Sequence, residues 1–390
     1  MTQAGLSMSI APVHIIGLSF GTSNPAELSW FDAAYSLTVG TFILVAGRLG
    51  DVYGHRRLFV LGFGCFSLWS LLAGFSVWSN KIFFDCCWAL QGIGPAILLP
   101  NAIAIFGRTY PPGFRKEMIF VWRHCPWRIY SRWCVFIYLC PVCLVALGIL
   151  GDGNGAATGI SGFALINFAW NQAALVGWKN PYTYVLLIVG CIRLGVFAVI
   201  ERRAVYPLLP RSIFTGDLAW VVGCIAAGWS SFGIIIYYFY QFMEVIKGDS
   251  PLLATAKWSV AAPSGAIAAL VTGFLLGRWP PSVIMFCAMG FFYSWDMSFP
   301  SGTLILSNAM HRHHQGLAAS LVATTVNYSI SLGLGFAGTV ELHVNDAGRN
   351  VLRGYRGALY MGIGLAGLGL NISICFMWAS WRRYCASKKG

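Results

Sequence analysis

The chain has 390 residues, of which 57% are hydrophobic and only 10% are charged. This composition excludes an ordinary water-soluble globule, which needs far more polar surface at this size, and it indicates that lipid is the solvent. The formal net charge of +13 does not indicate nucleic-acid binding, because the Lys and Arg residues stand in short segments between apolar runs, where they anchor loops, and form no extended basic face.

Apolar runs long enough to cross a bilayer occur along the whole chain. A helix needs roughly 20 residues to cross the hydrocarbon. The runs without any charged residue are 58–79, 160–178, 218–243, 316–340 and 357–378. Those with one charge are 28–47, 82–106, 182–200 and 252–277. With the less regular stretches included, the sequence predicts an all-α bundle of about 11–12 transmembrane spans.

The first motif joins the runs 28–47 and 58–79 and reads Gly47-Arg48-Leu49-Gly50-Asp51-Val52-Tyr53-Gly54-His55-Arg56-Arg57. We interpret it as a tight interhelical loop over 47–57, in which glycines permit close helix approach. Asp51 is placed to accept charge-assisted hydrogen bonds, and the arginines hold the loop in the cytoplasm. The gating candidates in this motif are Gly47, Arg48, Gly50, Asp51, Gly54, Arg56 and Arg57.

Loop charges predict the sidedness of the spans. With 47–57 inside, counting forward places the loop with Arg108, Arg115 and Lys116 inside as well. If two spans occupy 118–150, the turn at 201–203 also falls inside. A basic cytoplasmic tail then occupies 381–390.

Two stretches depart from a regular pattern. In 118–139, Arg123, Arg128 and Arg132 would together cost on the order of 8–10 kcal/mol in the membrane, so we predict that this segment does not insert as a simple span. The stretch between Gly277 and His311 is too long for one helix and too short for two spans with a turn. Basic residues at both of its ends predict that one span is missing there.

The loop motif resembles the signature G-x-L-a-D-r-x-G-r-[KR] of the major facilitator superfamily. Further segments resemble its fungal fourteen-span drug:proton antiporters, of the aminotriazole- and boron-resistance type. These segments are 29–46, Ala89-Leu90-Gln91-Gly92-Ile93-Gly94-Pro95-Ala96, Asn167-Phe168-Ala169-Trp170-Asn171-Gln172, Gly228-Trp229-Ser230-Ser231-Phe232-Gly233, Asp296-Met297-Ser298-Phe299-Pro300 and 314–338.

The resemblance covers nearly the whole chain. It implies two pseudo-symmetric helical halves around a central cavity, alternating access driven by proton exchange, and efflux of small solutes or drugs. We divide the chain accordingly into an N-terminal bundle (1–150, with spans near 1–20, 28–47, 58–79, 82–106 and a disrupted 118–150), a linker helix pair (151–215) and a C-terminal bundle (216–380).

Four features depart from that family. The first span is shortened at Met1, Trp88 stands where the family has an Arg that helps to couple protons, and one span is absent near 278–312. The fourth departure is the Arg-rich stretch, which replaces the family's antiporter motif G-x-x-x-G-P-x-x-G-G. If the codons for residues 122–136 are read in the frame shifted by one base, they can encode a Gly- and Pro-rich sequence. We therefore hypothesise a local frameshift or a mispredicted splice site.

Polar residues inside apolar runs are the candidate cavity or coupling groups, because the bilayer makes them expensive. They are Asp32, Asp85, Asn101, Asn167, Asn171, Gln172, Gln241, Asp296, Asn327 and Tyr328, together with the fourth-span motif residues Gln91, Gly92, Gly94 and Pro95. Each could instead reach interfacial water or hydrogen-bond a neighbouring helix, for a gain of about 0.6 kcal/mol. Arg193 is interpreted as a snorkelling side chain.

No cofactor or metal site is expected. Cys140 and Cys143 form a single CxxC outside any zinc-type spacing, and the His311-Arg312-His313-His314 cluster is interpreted as a solvated basic anchor. The leading hypothesis is a monomeric, proton-coupled exporter of small molecules in the plasma membrane or, alternatively, the vacuolar membrane. A transport-inactive copy is the alternative, and a membrane-embedded enzyme is less favoured because HExxH, GxSxG and Walker motifs are absent.

Overall fold

The computed structural model describes residues 10, 13–22, 25–76, 79–109, 153–178, 180–204, 216–259, 261–275, 278–290, 298–299, 301–303, 305, 315–346 and 349–387. Every regular element within them is helical, as predicted. The helices are α1 Val13–Ser19, α2 Pro25–Tyr53, α3 His55–Phe75, α4 Lys81–Gln91, α5 Ile93–Thr109, α6 Gly153–Val176, α7 Pro181–Arg203, α8 Gly216–Gln241, α9 Pro251–Trp258, α10 Ala261–Leu275, α11 Pro281–Gly290, α12 Gln315–Val344 and α13 Val351–Ser387.

Seven helical segments among the described residues are long and apolar enough to cross a membrane. They are Asp32–Tyr53, His55–Phe75, Lys81–Ile105, Pro181–Arg203, Asp217–Ile246, Ser320–Val344 and Val351–Arg383. The prediction of a polytopic transmembrane helix bundle is therefore confirmed. The Arg-rich stretch 118–139, both CxxC cysteines and the His311–His314 cluster lie outside the described residues.

The bounds of two predicted elements were wrong. Helix α2 continues to Tyr53, so the interhelical turn is confined to Gly54, whose φ is +94°, rather than spread over 47–57. The predicted span 82–106 agrees with the apolar segment Lys81–Ile105, within which a turn at Gly92 separates α4 from α5. The predicted span 252–277 is divided between α9 and α10.

Helix α12 lies at the centre of the described bundle. It packs against α2, α5 and α6 on one side and against α8 and α13 on the other. Helix α2 contacts α3, α4, α5 and α6 as well, so α2 and α12 together form the interface between the helices that precede residue 151 and those that follow residue 216. This interface positions the polar residues described below.

Helix α7 packs against α6, and most of its remaining surface is exposed. Close approach of the pair depends on Gly190, where an added Cβ would lie 2.7 Å from the Ile166 side chain. The exposed side of α7 is rich in aliphatic side chains, as expected for a helix that faces lipid. Arg193 lies on this exposed helix, and its Nη1 atom is 3.5 Å from Ser161 Oγ.

Ion pairs join helix ends that the charge rule predicts to lie on the same side. At the predicted outer side, Lys81 before the fourth span pairs with Glu27 before the second. At the predicted inner side, Arg383 near the end of α13 pairs with Asp217 at the start of α8. The packing is thus consistent with the predicted sidedness of these four spans.

Candidate functional site

The signature segment forms a compact polar junction between α2, α3 and α5. Asn101 of α5 is completely buried and lies against the end of α2. Its Nδ2 donates to the carbonyl oxygens of Ile97 (2.7 Å) and Ala46 (3.4 Å). A Cβ at Gly50 would collide with Asn101 Oδ1, which explains why the motif has glycine at this position.

His55 links Asn101 to Asp51. Its Nδ1 lies 2.8 Å from Asn101 Oδ1, so Nδ1 carries the hydrogen of this bond because the oxygen can only accept. Its Nε2 lies 3.4 Å from Asp51 Oδ1. The resemblance aligns His55 with the arginine of the family signature, and the structure places it between Asp51 of the motif and Asn101, which was predicted as a cavity or coupling candidate.

The other residues of the signature have simpler roles. Gly47 is buried within α2, Arg48 is half-buried, and Arg56 and Arg57 are exposed on the first turn of α3. These exposed arginines agree with a loop anchored in water. Gly54 alone has the positive φ that favours glycine.

The fourth-span motif is a packing device between α5 and its neighbours. A Cβ at Gly92 would lie 2.8 Å from the Tyr35 carbonyl oxygen of α2, and a Cβ at Gly94 would lie 2.8 Å from the Phe66 backbone of α3. Gln91 is buried, and its Nε2 donates to Ser70 Oγ of α3. Pro95 is buried beside them. These residues fix helix contacts and do not themselves surround a cavity.

A second polar junction joins α2, α6 and α12. Asn171 Nδ2 donates to Asn167 Oδ1 at 2.9 Å, and Ser331 Oγ lies 2.7 Å from the same oxygen. Ser331 Oγ also lies 3.0 Å from the carbonyl oxygen of Ala33, to which it can donate. We predicted both asparagines but not Ser331, because one serine in an apolar run carries no distinctive pattern.

A third junction lies at the predicted outer ends of α1, α8, α12 and α13. Gln241 is 1% exposed, and its Oε1 is 2.8 Å from His14 Nε2 and 3.4 Å from the Tyr355 hydroxyl. Next to it, the Tyr238 hydroxyl donates to Glu341 Oε2 at 2.8 Å. The sequence analysis did not single out Glu341, because one acid directly after the uncharged run 316–340 carries no distinctive pattern.

Asp32 and Asp85 differ in their surroundings. Asp32 is fully buried in α2, so it does not reach interfacial water, whereas Asp85 is half-buried one turn after Lys81.

Trp88 fills the place that the family gives to an arginine. Its ring packs against Phe84 at 5.7 Å and against Tyr35 at 6.1 Å between centroids, and its Nε1 has no hydrogen-bond partner in the structure.

The remaining candidates lie apart from these junctions. Asn327 Nδ2 bonds to its own helix at Ala323, and the Tyr328 hydroxyl donates to the Phe163 carbonyl oxygen of α6 at 3.2 Å. Gln172 is partly exposed near Tyr182. Asp296 lies outside the described residues. A small pocket with room for about one water molecule, about 10 Å³, lies beside Tyr328's helix between Thr41, Phe163 and Thr324.

Comparisons with known proteins agree with this architecture. A sequence profile described as Major Facilitator Superfamily matches residues 1–123. The "Low affinity ammonium transporter" of Saccharomyces cerevisiae is 49% identical over 98% of this chain and 87% of its own length. The chain belongs to the major facilitator superfamily. It is also 40% identical to the "Major facilitator superfamily multidrug transporter mdr3" of Aspergillus fumigatus, over 99% of this chain and 79% of that protein.

The fold of this facilitator is similar to that of a solved transporter. The crystal structure of the E. coli fucose:proton symporter has a TM-score of 0.50 at 13% identity, with 96% of this chain and 95% of that chain covered. The chain is thus an integral membrane protein of the facilitator fold, and its relatives are fungal transporters and drug efflux pumps rather than enzymes.

The alignments also require gaps inside this facilitator. The alignment with the yeast ammonium transporter runs over 448 positions, whereas this chain has 390 residues. At least 58 aligned positions of that relative, the difference between 448 and 390, therefore have no counterpart here. A transmembrane helix needs roughly 20 residues, so these gaps are large enough to hold a whole span.

Proposed function

We propose that this facilitator is a secondary active transporter that exports a small solute or drug by proton antiport with alternating access, at the plasma membrane. The observation that carries the proposal is the polar interface between α2 and α12. Ser331 of α12 bonds across to the Ala33 carbonyl of α2, and Asn167 of α6 accepts at the same place. Because these interhelical hydrogen bonds are few and contribute about 0.6 kcal/mol each, the contact between the two helical halves can break and form again during a transport cycle.

The inner junction supports the same proposal. Asp51, His55 and Asn101 join the second, third and fourth spans at their predicted cytoplasmic ends. This junction makes the N-terminal helices one body at that side, and a body that moves as a unit is what alternating access requires. The names of the relatives support a small solute: one is called an ammonium transporter and another a multidrug transporter.

The direct test is transport by the full chain in proteoliposomes, with labelled methylammonium and aminotriazole as probes. We expect an inwardly acidic pH gradient to drive uptake of at least one probe into the vesicles above empty liposomes, with proton release reported by an enclosed pH dye. A protonophore should abolish both signals. Uptake that ignores the pH gradient would contradict proton antiport while leaving transport intact.

A transport-inactive copy is the second candidate, and the unmatched positions in the alignments favour it. The region concerned is the stretch between Gly277 and His311, in which the sequence predicts that one span is missing. If the chain is helical and monodisperse in detergent but moves no probe, this second candidate replaces the first. The transcript sequence between the codons for residues 277 and 311 tells whether the short region belongs to the protein.

A further inference from the structure

The outer junction contains a buried acid that the transport proposal does not yet use. Glu341 lies in the last turn of α12 and is 5% exposed. Its described hydrogen bond is the one from the Tyr238 hydroxyl, at 2.8 Å. Tyr238 and its neighbours Tyr237 and Tyr355 are each 1% exposed, so aromatic rings surround the carboxyl on the α8 and α13 sides.

Within the described part of the chain, no Lys, Arg or His side chain forms an ion pair with Glu341. The charged and titratable groups on the packed elements are Asp32 on α2, His14 on α1, Tyr237, Tyr238 and Glu244 on or after α8, His343 on α12 and Tyr355 on α13. The arginines that flank Tyr355 on α13 are both exposed: Arg356 follows it directly, and Arg353 pairs with Asp346. An ionised carboxylate would therefore be buried with a phenol as its main support, which costs several kcal/mol.

A chain of contacts connects this acid to the other half of the molecule. The Tyr238 and Tyr355 rings pack at 5.7 Å between centroids, the Tyr355 hydroxyl reaches Gln241, and Gln241 meets His14 of the first helix. Gln241 is only 1% exposed, and its Nε2 has no hydrogen-bond partner in the structure. An unsatisfied buried donor is rare in native structures, and it marks this junction as a place with unused hydrogen-bonding capacity.

We propose that Glu341 is a proton-binding carboxyl at the outer end of the bundle, and that the packing of α8 and α13 around it buries it in its neutral form. The inference rests on the proposed function, because it assigns one of the protons that antiport requires. Close packing at this place leaves no room for a solute, whereas a proton needs none. When the outer end opens, water reaches Glu341, and hydronium transfers a proton to the carboxylate, forming the O–H bond of the acid and leaving water.

The proposal is tested by infrared difference spectroscopy on the full chain in lipid, with pH as the variable and the proton as the ligand. Wild type should show a C=O band of a protonated carboxylic acid that decreases as pH rises, and Glu341→Gln should lack that band. Asp346→Asn, which removes an exposed acid just beyond the end of α12, is the matched control and should keep it. If Glu341→Gln retains the whole band, the proposal is wrong.

A second variant avoids dependence on correct folding of Glu341→Gln. Tyr238→Phe removes one hydroxyl and leaves the ring in place, so it should shift the acid band to higher frequency because the carboxyl loses a hydrogen bond. An unchanged band in Tyr238→Phe would also overturn the assignment. The chain could show a protonated-acid band that depends on Glu341 and yet move no probe, and this result would contradict the proposed transport but not the proton site. Proton-driven transport without such a band would contradict the proton site at Glu341 but not the proposed transport.

Discussion

Asn101 of α5 occupies the space that a side chain at Gly50 of α2 would need. A Cβ at Gly50 would collide with both Asn101 Oδ1 and His55 Nδ1, atoms that are bonded to each other at 2.8 Å. The signature glycine and the buried asparagine, 51 positions apart in the sequence, are thus parts of one contact.

Gly50→Ala should destabilise the protein by about 1–3 kcal/mol, because overpacking forces Asn101 and His55 apart. Thermal unfolding in detergent measures the change. Gly364→Ala is the matched control: Gly364 lies in the middle of α13, with nothing within 4 Å of an added Cβ. This control should be neutral or stabilising, by up to about 1 kcal/mol, since alanine favours the helix. Equal effects of the two substitutions would contradict the packing assigned to Gly50.

Ser331→Ala should lower the transport rate with little loss of stability, because it removes a bond of about 0.6 kcal/mol between α2 and α12. The measurement is probe uptake into proteoliposomes alongside the unfolding temperature. Thr325→Val, also on α12, is the control, since the Thr325 hydroxyl bonds only to Leu321 of its own helix in the structure. If Thr325→Val impairs uptake as much as Ser331→Ala does, the interhelical bond is not what matters.

The Glu27–Lys81 pair should make stability depend on pH on the acid side. The hydrogen bond from Lys81, with a second from Thr22, lowers the pKa of Glu27. A lowered folded-state pKa gives stability that is present above the unfolded value, about 4.3, and is lost as pH falls through the folded value. We expect the advantage of wild type over Glu27→Gln to be constant near neutral pH and to disappear in acid.

Unfolding temperatures between neutral and acid pH test this dependence. Asp346→Asn, in the exposed pair with Arg353, provides the comparison, because exposed pairs contribute little. Asparagine also tolerates the positive φ of 52° at this position. A difference between wild type and Glu27→Gln that grows as pH falls would have the wrong sign and would refute the assignment.

Trp88→Ala should destabilise by about 3–5 kcal/mol, because it empties a buried site between α2 and α4. Trp88→Phe should cost much less, since a ring still packs on Phe84 and the indole Nε1, unpartnered in the structure, is removed. Denaturant unfolding compares the two. A large loss in Trp88→Phe would show that the indole N–H has a partner and that Trp88 is not simply a space-filling substitute for the family arginine.

Insertion of the stretch 118–139 gives a fifth prediction, which depends on sequence alone. Three arginines at a combined cost on the order of 8–10 kcal/mol should prevent a simple crossing. Glycosylation acceptor sites engineered before and after this stretch should therefore report the same side of the membrane. Opposite sides would show that the segment crosses, and the frameshift hypothesis would lose its physical motive.

The sequence by itself determined the all-α membrane class and many of the approximate spans. These conclusions follow from costs that apply to any residue in oil, whatever its neighbours: exposed peptide groups and charges are excluded from hydrocarbon. Turns inside spans, such as the one at Gly92, were not predictable in this way, because they depend on packing against other helices, here against Tyr35 of α2.

Only the tertiary structure decided which polar groups meet. Asn101 meets His55, Asn167 meets Ser331, and Gln241 meets His14, a residue 227 positions away. Glu341 illustrates the reason most clearly: along the chain it is an acid at the end of an apolar run, and only the packing of α8 and α13 buries it beside Tyr238 and Tyr355. Burial and hydrogen-bond partners arise between helices, and no single segment encodes them.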